Sequence, residues 1–373
     1  MGTYPSYGGV EIVSTVLANQ FIEDGHQVTI ASYKQPLRDA AQLNLSDQCE
    51  LLFLSYPVLS LNNIKKLREY IQTYQIEVLI NQWVVPFYAT LVWKMATYGT
   101  NCKVYSVHHN PPDTNMRIQS LKRQIEQGKG YLKGLYGLVR EVSRLSLAFC
   151  IKNSQKFILL SPSFIPIARK FSRVKDKNKF LSIPNPISMP VSEEGVLKEK
   201  EMIYVGRIEY NQKRTDRVVD IWKELEPMYP DWKLTIVGDG DDREDLEKRI
   251  HKYGLKRVTI TGFVNPIEYY QRASILLLTS DYEGFGLVVA EAMSYGVVPV
   301  VYNSFESAHD LVVDGYNGIL VEKPFDVLNF TKVVQELMEK ESYLHVLSHN
   351  SRMAAERFSV DGIVKEWYQL WNN

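Results

Sequence analysis

Short apolar runs rich in β-branched residues alternate with segments of helical periodicity along the whole chain. No other feature constrains the fold as much. In the first half, a helical pattern from about Val10 to Asp24 is followed by Gly25 and the strand-like HQVTIAS (His26 to Ser32). Asn62 to Tyr74 reads as a helix and EVLINQ (Glu77 to Gln82) as a strand. After another helix comes CKVYSVHH (Cys102 to His109), a strand ending in two histidines before a Pro pair. KFILLSPS (Lys156 to Ser163) and FLSIPNPI (Phe180 to Ile187) are the next strands. A second series opens with MIYVGR (Met202 to Arg207) and runs through WKLTIVG, RVTITGF, SILLLTS, VVPVVY and GILV, separated by helices. The last segment, FSVDGIVKEWYQLW (Phe358 to Trp371), is an amphipathic helix. Strands that alternate with helices of roughly ten to fifteen residues imply parallel βαβ units and an α/β fold.

A chain of 373 residues is too long for one typical domain, and two are expected. Pro184, Pro186 and Pro190, followed by the charged run from Glu193 to Glu201, mark the boundary. The domains expected are therefore 1–190 and 191–355, with 356–373 as a terminal helix. The 43 basic and 43 acidic residues cancel, so the global charge suggests no nucleic-acid partner. Cys49, Cys102 and Cys150 are far apart and odd in number, which suits a reducing compartment and forms no metal pattern. No apolar run reaches membrane-spanning length and no signal peptide is visible, so a cytoplasmic protein is expected. Met1 leads directly into GTYPSYGGVE, which is similar to the glycine loop that follows a first strand. In an open sheet that strand would be central, so a native start upstream of Met1, or a trimmed one, is expected.

The stretch from Asp281 to Pro299, DYEGFGLVVAEAMSYGVVP, says most about function. It follows the buried-looking SILLLTS and orders a carboxylate (Glu283), two glycines around an aromatic (Gly284, Phe285, Gly286), an apolar helix start at Leu287 and a second carboxylate (Glu291). Glycines there let backbone N–H groups approach a ligand, and a helix N-terminus favours negative charge. Glu283 and Glu291 are eight apart and lie towards one end of the element. Carboxylates beside an anion site suit hydroxyls better than phosphate. A ligand with both a phosphate and a polyol, such as a nucleotide sugar, fits that arrangement.

Between Asn115 and Lys156 nine cations (Arg117, Lys122, Arg123, Lys129, Lys133, Arg140, Arg144, Lys152, Lys156) face two acids (Glu126, Glu141). Leu132, Leu135, Leu138, Val139, Val142 and Leu145 recur there at helical spacing. The segment reads either as a solvated helix pair or as a basic amphipathic surface touching anionic lipid, which would bring an enzyme to a membrane-bound acceptor.

Five pieces in order and spacing carry a resemblance to family 4 of the retaining glycosyltransferases, whose fold is GT-B: two Rossmann-like doubly wound domains facing across a cleft. EGFGLVVAE resembles the family's paired-glutamate motif, and VGRIEYNQK its phosphate-binding Arg and Lys. IVGDG, TGF and LVVDGYNGILV also fall in family order. The resemblance implies that Arg207 and Lys213 meet the charge developing on the departing diphosphate, where fixed cations count most in catalysis. It implies that Glu283 accepts from the donor sugar's hydroxyls. Backbone groups of Gly206 and of Gly284, Phe285, Gly286 and Leu287 would lie near sugar and phosphate. Glu291 would accept from the ribose, and Val264 would present its backbone to the base. In the first domain, Gly8 and Gly9 are similar to the loop that approaches the donor diphosphate. His108 or its neighbour His109 would face the donor sugar from a strand's carboxyl end, and Asn185 is similar to an Asn near the cleft.

The family resemblance further implies anomeric retention by front-face attack with the leaving phosphate as base, so Glu283 is not assigned as a nucleophile. It implies no cofactor and no metal, a UDP- or GDP-sugar donor, and a glycan or lipid-linked acceptor in bacterial surface polysaccharide biosynthesis. The enzyme would be cytoplasmic or peripheral on the inner face of the membrane, and the last helix would pack back on the first domain. Asp239-Gly-Asp241 looks like a metal-binding Asp-x-Asp, but it follows KLTIV and opens a charged helix, so a turn and cap are expected. A nucleotide-sugar 2-epimerase of the same architecture and a non-catalytic sugar-binding protein are the alternatives. The first would want additional acids and histidines in the cleft, and the paired-glutamate spacing favours the transferase. Intact Arg207, Lys213, Glu283 and Glu291 argue against the second.

Overall fold

The computed structural model describes residues 1–5, 8–34, 44–187, 189 and 197–372. Pro190 and the start of the charged run at Glu193 lie outside the described residues. The chain divides into two compact units, Met1–Pro186 with Val360–Asn373, and Ile187–Ser359.

The first unit holds β1 (Thr29–Ser32), β2 (Glu50–Phe53), β3 (Val78–Asn81), β4 (Lys103–His108), β5 (Lys156–Leu159) and β6 (Phe180–Ser182). All pairings are parallel: β1 with β2 in one sheet, and β3-β4-β5-β6 in another. Sequence patterning assigns nothing to Glu50–Phe53, because ELLF is too short to show a period and only its parallel partner makes it a strand. FLSIPNPI pairs only as far as Ser182, since Pro184 and Pro186 carry no N–H for a ladder. Phe157, Ile158 and Leu159 on β5 are fully buried, as expected for a parallel strand covered on both faces. The terminal helix Val360–Asn372 lies in this unit against Gly9–Glu23. Its Trp371 ring is 5.0 Å from that of Phe21, and the Tyr368 hydroxyl donates to Asp24 Oδ2 at 2.6 Å.

The second unit holds β7 (Glu201–Val205), β8 (Lys233–Val237), β9 (Val258–Gly262), β10 (Ile275–Leu278), β11 (Val298–Tyr302) and β12 (Ile319–Val321). They form one parallel sheet in the order β12-β11-β10-β7-β8-β9. The chain winds outward from β7 through β8 and β9, then returns to β10 on the other side of β7. That reversal is the topological switch point of a doubly wound sheet, and ligands bind outside the carboxyl ends of the strands there. The loops after β7 and β10 therefore define where to look.

Candidate donor site at the switch point

The loop after β7 is held by a backbone contact that only glycine permits. A Cβ on Gly238 would lie 1.9 Å from the Gly206 carbonyl oxygen, and one on Gly240 would lie 2.2 Å from that of Ile208. IVGDG is thus a packing motif between two loops. Asp239 and Asp241 do not cap the following helix, which corrects that part of the expectation. Asp239 accepts from the Gly240 N–H and pairs with Arg243 at 3.0 Å, while the N-cap is Asp242, whose carboxylate takes the Tyr210 N–H. Among the described residues, no group of three or more His, Cys, Asp or Glu stands where it could hold a metal ion.

The same loop is clipped to the loop after β10. The Asp281 N–H donates to the Gln212 carbonyl at 2.8 Å, and Gln212 Nε2 donates to the Tyr282 carbonyl at 3.1 Å. Thr279 Oγ1 donates to the Arg214 carbonyl at 3.0 Å. Asp281 accepts from Arg217 at 2.7 Å and Arg214 at 3.4 Å, and the Arg217 guanidinium lies 4.2 Å above the Phe325 ring. Gln212, Thr279, Asp281 and Arg217 carry this frame, and sequence reasoning missed all four as a set. Polar residues scattered over seventy positions show no pattern until β7 and β10 lie side by side.

Lys213 and Glu283 meet within this frame. Lys213 Nζ donates to Glu283 Oε1 at 2.8 Å and Oε2 at 3.0 Å, and Ser280 Oγ donates to Oε1 at 2.6 Å. Glu283 is only 5% exposed. Sequence reasoning placed Lys213 with the phosphates and Glu283 with the sugar; the structure joins the two directly. Arg207, just past β7, is exposed, and its guanidinium makes no hydrogen bond or ion pair among the described residues.

Gly286, at φ +85°, is the N-cap of the helix Leu287–Ser294. That left-handed turn, with Leu311 3.1 Å from where a Cβ would sit, explains glycine here. Glu291 lies in this helix, buried rather than on its surface. The Tyr270 hydroxyl donates to its Oε2 at 3.0 Å, and Tyr270 stacks on Tyr295. Burial pushes the Glu291 carboxyl up to about 7, against the hydrogen bond from Tyr270. Tyr270 and Ser280 are further site residues that sequence reasoning missed. Only Ser280, three residues before Glu283, gave any local signal. Val264 follows β9 and is exposed, with its neighbour Phe263 more so.

The first unit carries its own candidates. Gly8 is the N-cap of Gly9–Glu23 in extended conformation, and a Cβ on Gly9 would meet open space. The fold of this unit does not itself demand glycine at position 9. His108 ends β4, buried, with its ring bonded to the Pro111 carbonyl and Nε2 unpartnered. His109 Nε2 donates to Gln82 Oε1 at 2.6 Å, leaving its Nδ1 bare. Burial pushes His108 down to about 4 and His109, repelled also by His108, to about 3, so both are neutral. Asn185 is buried just past β6.

Two clipped loops at a switch point, one bearing cations and the other a buried carboxylate, define a ligand-binding doubly wound α/β protein. The family model described as "Glycosyltransferase Family 4" matches residues 7–188, and "Glycosyl transferases group 1" matches 191–354. The chain belongs to this family: it is a glycosyltransferase of family 4 with the GT-B fold. An uncharacterized glycosyltransferase of Haemophilus influenzae is 26% identical over 97% of this chain and 96% of its own length. An N-acetylgalactosaminyltransferase of Campylobacter jejuni, named for an acceptor saccharide on PP-undecaprenol, is 27% identical over 62% of each chain. The structure of Anabaena HepE in complex with UDP matches with a TM-score of 0.76 at 16% identity over 100% of both chains. Neither the family models nor the names of these relatives support the 2-epimerase or the non-catalytic alternative.

Proposed function

We propose that the protein is a retaining, metal-independent transferase that moves a sugar from a nucleotide-sugar donor to a glycan or lipid-linked acceptor in bacterial surface polysaccharide biosynthesis. One observation carries this reading: the Lys213–Glu283 pair beside an unpaired Arg207 at the switch point. A nucleotide sugar offers both halves of that pair a better partner. Its diphosphate takes Lys213 and Arg207, and its sugar hydroxyls donate to Glu283. Backbone groups from Gly284 to Leu287 and Gly206 lie beside the same loops. The ribose donates to Glu291, and Val264 offers backbone to the base.

In the reaction, the bond from sugar C1 to the phosphate oxygen breaks, and its electron pair leaves with the diphosphate. Arg207 and Lys213 stabilise that charge, the largest electrostatic term such a site can offer. The acceptor hydroxyl attacks C1 from the same face, and its proton passes to the departing phosphate oxygen. Glu283, already holding hydrogen-bond donors on both sides, acts as a grip on the sugar and not as a nucleophile. In the first unit, His108 is pinned by Pro111 and keeps Nε2 free, so it is the better candidate to accept from a sugar hydroxyl; His109 spends its outer nitrogen on Gln82. Gly8, Gly9 and Asn185 are the further candidates of the first unit in this reading.

This reading takes its acceptor class from the Campylobacter relative's name and, with it, a cytoplasmic enzyme at an anionic membrane, with residues 115–156 as the contact. Among the described residues no helix is long and apolar enough to cross a membrane. The test is a thermal-shift panel of UDP-, GDP- and ADP-sugars, because a ligand that binds only the folded state stabilises it by mass action. One nucleotide sugar should raise the melting temperature of wild type and not of Glu283→Gln. No shift from any of them would overturn the donor assignment.

A further inference from the structure

Glu291 stands at the end of a chain of contacts that starts just before β7. Tyr270, fully buried in the helix Ile267–Arg272, donates its hydroxyl to Glu291 Oε2 at 3.0 Å. Oε1 of the same carboxylate makes no hydrogen bond among the described residues. The Tyr270 ring stacks on Tyr295, with centroids 5.9 Å apart and planes 18° from parallel, and Tyr295 is itself buried. The hydroxyl cannot shift without displacing a second close-packed ring.

The backbone of the same tyrosine is held from the other side. The last-turn carbonyls of a helix have no partner within it, and here the segment before β7 takes them. Lys198 Nζ donates to the Tyr270 carbonyl at 2.8 Å and to the Gln271 carbonyl at 2.9 Å, while the Glu199 N–H donates to the Arg272 carbonyl at 2.7 Å. Ser274 Oγ closes the turn onto the Glu199 carbonyl at 2.6 Å. Packing alone does not call for a tyrosine at 270, since phenylalanine fills nearly the same volume and keeps the stack. Among the described residues the hydroxyl bonds to the Glu291 carboxylate and to nothing else.

We propose that Tyr270 is a positioning residue for nucleotide binding, turning the Glu291 carboxylate so that Oε1 meets the ribose hydroxyls, and that Lys198 sets Tyr270 in that place. The inference rests on the reading that Glu291 accepts from the ribose. A glutamate side chain left to itself samples several rotamers, and fixing it beforehand removes that ordering cost from binding.

UDP, GDP and their 2′,3′-dideoxy forms are titrated into the full chain at pH 8, where Glu291 is ionised. The ratio of dissociation constants, dideoxy over ribo, reads the ribose contact. Wild type should prefer one ribonucleotide over its dideoxy form by roughly tenfold or more. Tyr270→Phe should lower that ratio by roughly fivefold and leave affinity for the dideoxy form unchanged. Lys198→Met should lower it by about threefold and add nothing to Tyr270→Phe, because both act through one contact. In a Glu291→Gln background, Tyr270→Phe should have no further effect on the ratio. A lower melting temperature with the wild-type ratio kept in both variants would assign Tyr270 and Lys198 to packing alone and overturn the inference. So would a further loss of the ratio in the Glu291→Gln background, which would place the action of Tyr270 elsewhere. A wild-type ratio in Lys198→Met alone would remove Lys198 and keep Tyr270. Failure of wild type to tell ribo from dideoxy, or a wild-type ratio in Glu291→Gln, would instead overturn the ribose reading itself, and this inference with it.

Discussion

Lys213 grips both carboxylate oxygens of Glu283, and the two residues come from loops seventy positions apart. Two groups proposed to hold different parts of one donor therefore hold each other in its absence. Removing one strands the other: Lys213→Ala leaves a buried carboxylate, and Glu283→Ala leaves a half-buried ammonium. Each single variant should unfold about 2–3 kcal/mol more easily, and the double variant should lose less than their sum. Denaturant melts of the four proteins check this. Additive losses would show that the pair does not couple.

Arg207 should behave in the opposite way. It is exposed and unpaired, so Arg207→Ala should leave stability within about 0.5 kcal/mol. Turnover should fall by about 10²–10³ if the guanidinium meets the departing diphosphate. Release of nucleoside diphosphate, measured alongside a melting curve, separates the two effects.

Glu291 gives a pH prediction. Its carboxyl is raised from the ordinary 4.5 to about 7, so the native state favours the neutral form. Stability from this group is present below 4.5 and is lost as pH rises through 7. Glu291→Gln should melt like wild type at acid pH and higher than wild type at pH 8, by up to roughly 3 kcal/mol. The same variant should bind nucleotide more weakly above pH 7, where the wild-type group is a carboxylate and a better acceptor for ribose hydroxyls than an amide. A melting temperature that fails to diverge between acid and alkaline buffer would remove the buried-acid assignment.

The two histidines separate by phenotype. His108→Ala should cut turnover beyond what its lost bond to the Pro111 carbonyl costs in stability, since its buried Nε2 has no hydrogen-bond partner among the described residues. His109→Ala should cost stability of about 1 kcal/mol through the lost bond to Gln82. Exchange of these outcomes would transfer the proposed sugar contact to His109.

Gly238→Ala tests the loop contact. A methyl 1.9 Å from a backbone oxygen has no flexible neighbour to displace, so about 3 kcal/mol or more should be lost. Soluble yield and melting temperature report it.

The parallel architecture was legible from the alternation of patterns; Glu283 and Glu291 were singled out from local order along the chain and Arg207 and Lys213 from the family resemblance, and the structure brings Lys213 onto Glu283. Strand Glu50–Phe53 was not, because four residues show no period. Tyr270 was not, because nothing in its own segment marks it: its role exists only through Glu291, twenty-one residues on. Asp241 looked like a cap, yet Asp242 takes the N-cap and then turns its carboxylate to Tyr210, a tertiary partner that composition cannot announce. What pattern reveals is what each segment does alone. The polar frame around Asp281 depends on strands meeting, so it appeared only in the structure.

The clip between the loops after β7 and β10 also bears on how the second unit folds. Strands β8 and β9 intervene in the chain, so Lys213 cannot reach Glu283 until a long segment has closed. Contacts of such separation form late and slowly. Ligand capture at this site would then report completion of the unit: a refolding chain should regain its secondary structure before it regains the ability to bind.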